Sequence, residues 1–455
     1  MSNRPEHVVA LGGAWACGAL HVGVDHGFTA PELAFVVELT QARALVYEPH
    51  ADAPDPFLPL RILRERRPDL HVVVAGDQPA PEGFLPFAEL LSASPDGAPA
   101  RPASDDPALV FVTSGTTGRP KATLGYHGNL ARRWRRLAGW LRFGPEDVHL
   151  AHLPLSHGFG LMMAVAALLG GGRLALVDRF SAEDALRLVE EEGVTVLNGA
   201  PAHFKLVLDR LDATGRDVGS LRLSVGTAAS FPPDLVRAIW DRLGVELMIM
   251  YGSSEGVGMA TTDRDDIVRG AVGRPERGSV LVVGPDRRPL PIGEVGEIAF
   301  SRRVFPVRYW GDEPARVGRW FYSGDLGRLD EEGRLYVLGR VKHQIDRGGL
   351  KVDPVEVEAA LLRCAGVADA AVVGLPNPIL GETVCACVVP GAEPAPSLER
   401  LRTLLSAELA PHKLPDELCV LDHIPRTPIG KVDLPSLRAQ VAELGTESRR
   451  RPARV

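Results

Sequence analysis

The sequence predicts an α/β protein: a large N-terminal domain of βα-layered sheets with a β-rich subdomain, then a small α+β domain at the C-terminus. Three observations carry that prediction. Up to about residue 270, short apolar runs alternate with longer amphipathic ones, the pattern of parallel βα units. After that point strands come in pairs joined by tight turns. Beyond GRVKHQ (339–344), helix-like and strand-like runs mix in one short unit.

The elements follow in chain order. ARALVYE (42–48), LHVVVAG (70–76), ALVFVTSG (108–115), GRLALVD (172–178), VTVLNG (194–199), LRLSVG (221–226) and VELMIMYG (245–252) are short, apolar and β-branched enough to read as strands. PELAFVVELT (31–40), SAEDALRLVEEEG (181–193) and FPPDLVRAIWDRLG (231–244) read as helices. The second opens on Ser181 as an N-cap, with acidic residues in its first turn. Residues 77–107, rich in Pro, Ala and Ser, read as a surface connection. In LARRWRRLAGWLRF (130–143), Leu130, Trp134, Leu137 and Leu141 fall on one helical face, which predicts core packing. Paired strands follow in 279–290, 293–301 and 324–339, the last turning at DEEGR (330–334). The final unit has helices at 355–364 and 398–409 and strands at 369–376, 382–391 and 417–422.

A chain of 455 residues has room for two or three domains. Its 45% hydrophobic and 24% charged content suits a soluble globular protein. A net charge of −7 gives no global pull toward nucleic acid or acidic membrane. Five scattered cysteines, without zinc-type spacing, read as reduced thiols in a cytoplasmic protein. VVALGGAWACGAL (8–20) imitates a signal peptide, but Glu6 and His7 flank it, a single arginine precedes it and its glycines weaken it. No stretch reaches the ~18–20 apolar residues of a membrane span. Nothing in the sequence sets an oligomeric state.

One segment concentrates chemistry. After the strand at 108–113 come Thr113, Ser114, Gly115, Thr116, Thr117, Gly118, Arg119, Pro120 and Lys121. Hydroxyls, glycine N–H groups and a terminal cation in series can grip a polyphosphate. The spacing is not that of the lysine P-loop G-x-x-x-x-G-K-[ST]. Four further motifs follow in order: YGSSEG (251–256), YSGDLG (322–327), GRVKHQIDRGGLKVDPVEVE (339–358) and PRTPIGKVD (425–433). Together the five resemble those of the adenylate-forming superfamily, which includes acyl- and aryl-CoA ligases and the adenylation domains of peptide synthetases. The likeness runs from about residue 8 to about 438.

The resemblance implies an enzyme that joins a carboxylic acid to AMP, releases pyrophosphate, and passes the acyl group to a thiol. Its substrates and cofactors would be a fatty or aryl acid, ATP, Mg2+ and CoA. Two anions must meet, so charge has to be neutralised on every side. The loop from Thr113 to Lys121 would hold the β- and γ-phosphates. Glu255, with Thr116, would hold Mg2+ through oxygen. Tyr251, Gly252, Ser253 and Ser254 would border the nucleotide, Tyr251 offering a flat face to adenine. Gly226, Thr227 and Ala228 would let the base lie close. Asp325, acceptor-only when ionised, suits the ribose hydroxyls, and Arg340 could bind the same sugar. Lys431 would bridge the carboxylate and the α-phosphate. His157, Gly158, Gly252, Gly256 and Val257 would border the acyl pocket, and no anion there meets an amino-acid ammonium. Plainer readings stand beside these: Asp325 stabilising a turn, Arg340 paired with Asp330 or Glu331, His157 satisfied within its loop.

The resemblance also sets the domain plan: an adenylation domain at 1–339, a hinge at 340–342 centred on Lys342, a mobile lid domain at 343–438, and a disordered basic tail at 439–455. Rotation of the lid would withdraw Lys431 and open a thiol channel past Gly348 and Gly349. The arginines of 130–143 could then dock CoA phosphates or an acidic carrier protein. Three departures stand out. The chain before the VVALGGAWACGAL region is shorter than in the family. Gly226-Thr227-Ala228-Ala229 replaces Gly-Gly-Ala-Pro. Asp346 stands where lysine is usual, with Arg347 as its candidate substitute. Two other functions remain open: loading of a phosphopantetheine carrier protein, and a truncated nucleotide-binding homologue without catalysis.

Overall fold

The computed structural model describes residues 1–51, 53–93, 101–113, 121–227, 229, 231–253, 256–301, 310, 318–391, 396–427 and 429–448. At its centre is a six-stranded sheet. Its strands lie in the order Gly256–Thr261, Glu246–Ser253, Leu223–Gly226, Val196–Gly199, Val148–Ala151 and Arg173–Leu176. The first pair is antiparallel and the rest are parallel. Parallel strands need crossovers, and the helices Gly158–Leu169, Ala182–Glu192, Pro201–Thr214 and Pro233–Ala238 supply them.

Those helices cover both faces of the sheet. Leu161 and Met163 pack with Val196, Val225 and Met248 on one side. On the other, Leu186, Phe204 and Ile239 pack with Leu197, Leu247 and Ile249. Double-sided burial is why these strands read as continuous apolar runs rather than alternating ones. Trp134, Leu137 and Leu141 enter the first of these cores, as their helical spacing predicts. So does Leu11 of the helix Pro5–Ala16, and the Trp15 Nε1–H donates to the Ala108 carbonyl at 2.9 Å.

Two small sheets flank the centre. One joins His21–Gly23, Pro107–Thr113 and Lys121–Tyr126, and the other joins Ala44–Tyr47, His71–Val74 and Leu85–Pro86. The expected surface connection at 77–107 therefore needs correction. It contains a strand and the helix Phe87–Ser92, whose Phe87 is buried. An apolar anchor inside a Pro-rich stretch is enough to fold it back onto the body.

The β-rich part is an antiparallel meander of Val280–Val283, Gly296–Ser301, Trp320–Leu329 and Leu335–Arg340. It is tied to the helix Arg264–Val268 by ion pairs centred on one buried carboxylate. Asp266, 1% exposed, accepts from Arg334 Nε at 2.8 Å and from Arg274 Nη2 at 2.9 Å. Removing both arginines would leave that carboxylate buried and unpaired, which is destabilising.

The C-terminal unit packs the helices Pro354–Leu361, Leu398–Leu405 and Leu434–Leu444 on a sheet built around Val367–Asn377, Gly381–Pro390 and Glu417–Val420. Cys385 and Cys387 share one face of their strand, and Cys419 lies in register beside Cys387; all are buried free thiols. The tail expectation is corrected in part. The last helix runs to Leu444 with Val441 buried, and Glu447–Ser448 pairs with Glu417–Val420. Residues 439–448 are thus folded, and 449–455 lie outside the described residues. Among the described residues no helix is long and apolar enough to cross a membrane.

Candidate active site

The carboxyl ends of the parallel strands and the edge of the meander face the C-terminal unit. Asp325 and Arg340 are register partners on adjacent meander strands. Arg340 Nε meets Asp325 Oδ1 at 2.7 Å, and the Tyr251 hydroxyl donates to Asp325 Oδ2 at 2.7 Å. Three residues expected to hold nucleotide are therefore in direct contact, and Arg340 takes Asp325 as its partner while Asp330 pairs with Arg334. Burial, and then the Asp325 charge, raises the Tyr251 pKa well above that of a free phenol, so its hydroxyl remains a donor. Gly324 lies within the strand Trp320–Leu329, where its register against Gly296–Ser301 shifts. It adopts φ +73° and donates its N–H to Glu297 Oε1 at 2.9 Å, a backbone conformation that strains other residues. Asp325 is 5% exposed.

Gly226 has a packing reason of its own. A Cβ there would stand 2.6 Å from Phe231 Cζ and 2.7 Å from Ile249 Cδ1. The Thr227 N–H donates to the Gly199 carbonyl at 3.0 Å, which fixes the segment at the mouth of the sheet. Ala228 lies outside the described residues.

The expected phosphate loop also falls there in large part. Ser114, Gly115, Thr116, Thr117 and Gly118 lie outside the described residues; Thr113 and Lys121 are register partners on the antiparallel strands Pro107–Thr113 and Lys121–Tyr126. Ser254 and Glu255 lie outside them as well; among the described residues on either side, Gly252 pairs with Val257 and Ser253 with Gly256.

His157 is the N-cap of the helix Gly158–Leu169, its Nδ1 accepting from the Phe159 N–H at 3.3 Å. Desolvation, and then the charge of Lys431, pushes its pKa down to about 4. The helix that His157 and Gly158 begin covers the sheet face bearing Val225, Met248 and Met250. Asn198 shares that face by register with Val225; it is 1% exposed, and its Oδ1 has no hydrogen-bond partner among the described residues.

The C-terminal unit brings its cations to the same place. The pKa of His343 falls to about 4 through desolvation and through the charges of Lys342, Arg340, Arg438 and Lys431. The lysine expected to be catalytic, the expected hinge residue and the expected ribose-binding arginine therefore act electrically on one ring. The loop holding Lys431 is pinned at several points. Thr427 N–H donates to the Lys431 carbonyl at 2.7 Å, and Gly430 adopts φ +80°.

Gly348 and Gly349 form the turn between Ile345–Arg347 and Leu350–Val352, at φ +65° and +87°. Asp346 accepts from the Gly349 N–H and from Lys351 Nζ, at 2.8 and 2.7 Å. Its reversed charge is thus used locally. Arg347 does not stand in for the missing lysine, because Asp416 holds it bidentately at 2.7 and 2.8 Å.

Sequence reasoning missed Ala200, His203 and Lys205. Ala200 is the N-cap of the helix Pro201–Thr214 and His203 and Lys205 lie in its first two turns, against which the C-terminal unit sits. The proline at its start was the available signal.

The chain matches the family described as AMP-binding enzyme over residues 1–310 and the AMP-binding enzyme C-terminal domain over 356–431. It belongs to the AMP-binding enzyme family. The 2-hydroxy-7-methoxy-5-methyl-1-naphthoate–CoA ligase of Streptomyces carzinostaticus is 33% identical, over 98% of this chain and 84% of the relative. Triostin synthetase I of Streptomyces triostinicus is 34% identical, over 96% and 83%. The crystal structure of ATP-bound MatB from Rhodopseudomonas palustris superposes with a TM-score of 0.83 at 28% identity, covering 97% of this chain and 87% of that one. The α/β architecture and the family expected from the five motifs are the ones found.

Proposed function

We propose that this AMP-binding enzyme is an ATP-dependent acid–thiol ligase that activates an aryl or fatty acid as its acyl-adenylate and transfers the acyl group to CoA. One observation carries the reading: Tyr251, Asp325 and Arg340, all expected at the nucleotide, are in direct contact at 2.7 Å, and Gly430, next to Lys431, seats against Ala200 and His203 just beyond the strand Val196–Gly199. Lys431 on that loop would supply the cation that lets two anions react.

In the first step a carboxylate oxygen attacks the α-phosphorus and pyrophosphate leaves with the bridging electrons. Lys431 offsets the charge that builds between carboxylate and phosphate. Asp325 accepts from the ribose hydroxyls, and Arg340 holds Asp325 and the sugar edge. Tyr251 presents its ring to adenine. Thr113 to Lys121 would cradle the outer phosphates, and Glu255 with Thr116 would hold Mg2+, which would offset phosphate charge. In the second step the thiol sulfur attacks the acyl carbon, AMP departs with its oxygen, and the thiol proton goes to solvent. The 340–342 segment turns between the steps. The naphthoate named for one relative supports an aryl acid.

ATP–pyrophosphate exchange over a panel of aryl, fatty and amino acids tests this. Exchange with an aryl or fatty acid, followed by CoA thioester formation, is expected. Exchange with no acid at all would leave a nucleotide-binding protein without catalysis; a product formed only on a carrier protein would move the acceptor away from CoA.

A further inference from the structure

The position of Lys431 depends on a continuous chain of contacts that starts and ends on one helix. Lys205 Nζ, near the N-terminal end of the helix Pro201–Thr214, donates to the Ala368 carbonyl at 2.8 Å. The next residue, Asp369, binds Arg426 Nη2 through both oxygens, at 2.9 and 2.8 Å. Arg426 Nη1 in turn donates to the Gly430 carbonyl at 3.2 Å. Lys431 is the next residue. Gly430 then returns to the same helix end: a Cβ on it would stand 2.7 Å from the Ala200 Cβ and 2.9 Å from His203 Cε1. His203 itself is fixed, since its Nδ1 accepts from the Ala200 N–H at 3.0 Å and its ring packs edge-on against His152 and Phe180.

We propose that the N-terminal end of this helix, through Ala200, His203 and Lys205, is the dock that holds the C-terminal unit in its adenylate-forming orientation and so places Lys431. The idea rests on the ligase reading, in which that unit alternates between two orientations. Lys205 is a positioning residue; its ammonium reaches the lid backbone and not the reacting atoms. The contact at Gly430 is set by shape, because a bare backbone is needed to seat against His203. The contact at Lys205 is set by a single charge-assisted bond. Neither contact is required for the second step, in which the lid has left this helix, so weakening the dock penalises one half-reaction only.

The test is Lys205→Ala in the full chain, with the two steps measured apart. ATP–pyrophosphate exchange reports the first, and transfer from preformed acyl-adenylate to CoA reports the second. Loss of one such bond predicts a roughly three- to tenfold fall in exchange, with transfer unchanged or faster. Lys205→Arg, which keeps a donor, should recover most of the exchange rate. His203→Gln, which keeps an acceptor for Ala200 but loses the ring under Gly430, should show the same split; melting curves identify any variant that has simply unfolded. Unchanged exchange in Lys205→Ala, or equal loss of both steps in a well-folded variant, overturns the dock. Absence of exchange in the unsubstituted protein would instead refute the ligase reading, so the two failures are distinct.

Discussion

The ribose site gives the sharpest prediction, because the partners of Asp325 are known individually. Asp325→Ala removes the acceptor of Arg340 and of the Tyr251 hydroxyl, at 2.7 Å each. In the proposed nucleotide complex it would also remove the acceptor for two ribose hydroxyls. Hydrogen bonds to a charged group are worth about 1.5–3 kcal/mol each, so the two together come to about 3–6 kcal/mol. That corresponds to a loss of roughly 10^2- to 10^4-fold in kcat/KM for ATP. The fold pays a separate cost of about 1–3 kcal/mol for leaving a buried phenol hydroxyl without its acceptor. Tyr251→Phe separates the two effects: it keeps the carboxylate and the ring and loses only one donor, so ATP kinetics should fall by no more than about tenfold. The assay is exchange at saturating acid with ATP varied, together with thermal melts with and without AMP. The expected pattern is strong AMP protection in the unsubstituted protein, weaker protection in Tyr251→Phe and none in Asp325→Ala. If Asp325→Ala raised KM for the acid while leaving ATP kinetics and AMP protection intact, the carboxylate would belong to the acyl side and the reasoning would fail.

Two further predictions address the lid. Lys431→Ala should lower adenylate formation by about 10^2- to 10^3-fold while transfer from preformed acyl-adenylate to CoA survives, since only the first step places charge at the ammonium; equal loss in single-turnover assays of both steps would contradict this. Glu358 accepts from the Val372 N–H at 2.9 Å, and burial chiefly pushes its pKa up to about 7. A folded-state value above the unfolded one means stability is lost as pH rises from about 4.5 through 7. Glu358→Gln keeps the acceptor and never ionises, so it should melt with the unsubstituted protein at pH 4.5 and several degrees above it at pH 8. A gap that did not change with pH would refute the assignment.

Much of the fold is legible in the sequence because burial on both faces writes itself into the strands. Val196 to Gly199 and Leu223 to Gly226 are fully buried segments. The same logic hid the helix Pro201–Thr214, whose buried His203 and Phe204 sit next to exposed Lys205 and break a clean apolar stripe. The last helix was hidden by Pro435 and by the basic residues that follow, although Asp433 caps it by accepting from the Ser436 N–H. Tyr251, Asp325 and Arg340 were readable singly from three motifs. Their mutual contact was not, because it depends on the register of the meander against the end of the central sheet. The dock left no local trace at all: residues 200–205 and 426–431 become neighbours only when two separately folded units meet.

That meeting also explains how one crevice can serve two steps with opposite needs. Forming the adenylate requires positive charge where triphosphate and carboxylate converge; releasing pyrophosphate and admitting the acyl acceptor requires that charge to withdraw. Of the four cations that bear on His343, Arg340 belongs to the meander and Lys342 to the turn after it, whereas Lys431 and Arg438 belong to the C-terminal unit. If that unit turns about 340–342 as proposed, two of the four withdraw while the Arg340–Asp325–Tyr251 contact stays in place. His157 and His343, with pKa values near 4, stay neutral near pH 7 and add no charge of their own. In the proposed mechanism the field in the crevice is then set by where the lid stands rather than by proton uptake on these two rings, and a contact that biases the lid, such as Lys205 on Ala368, would change the chemistry without touching the substrate.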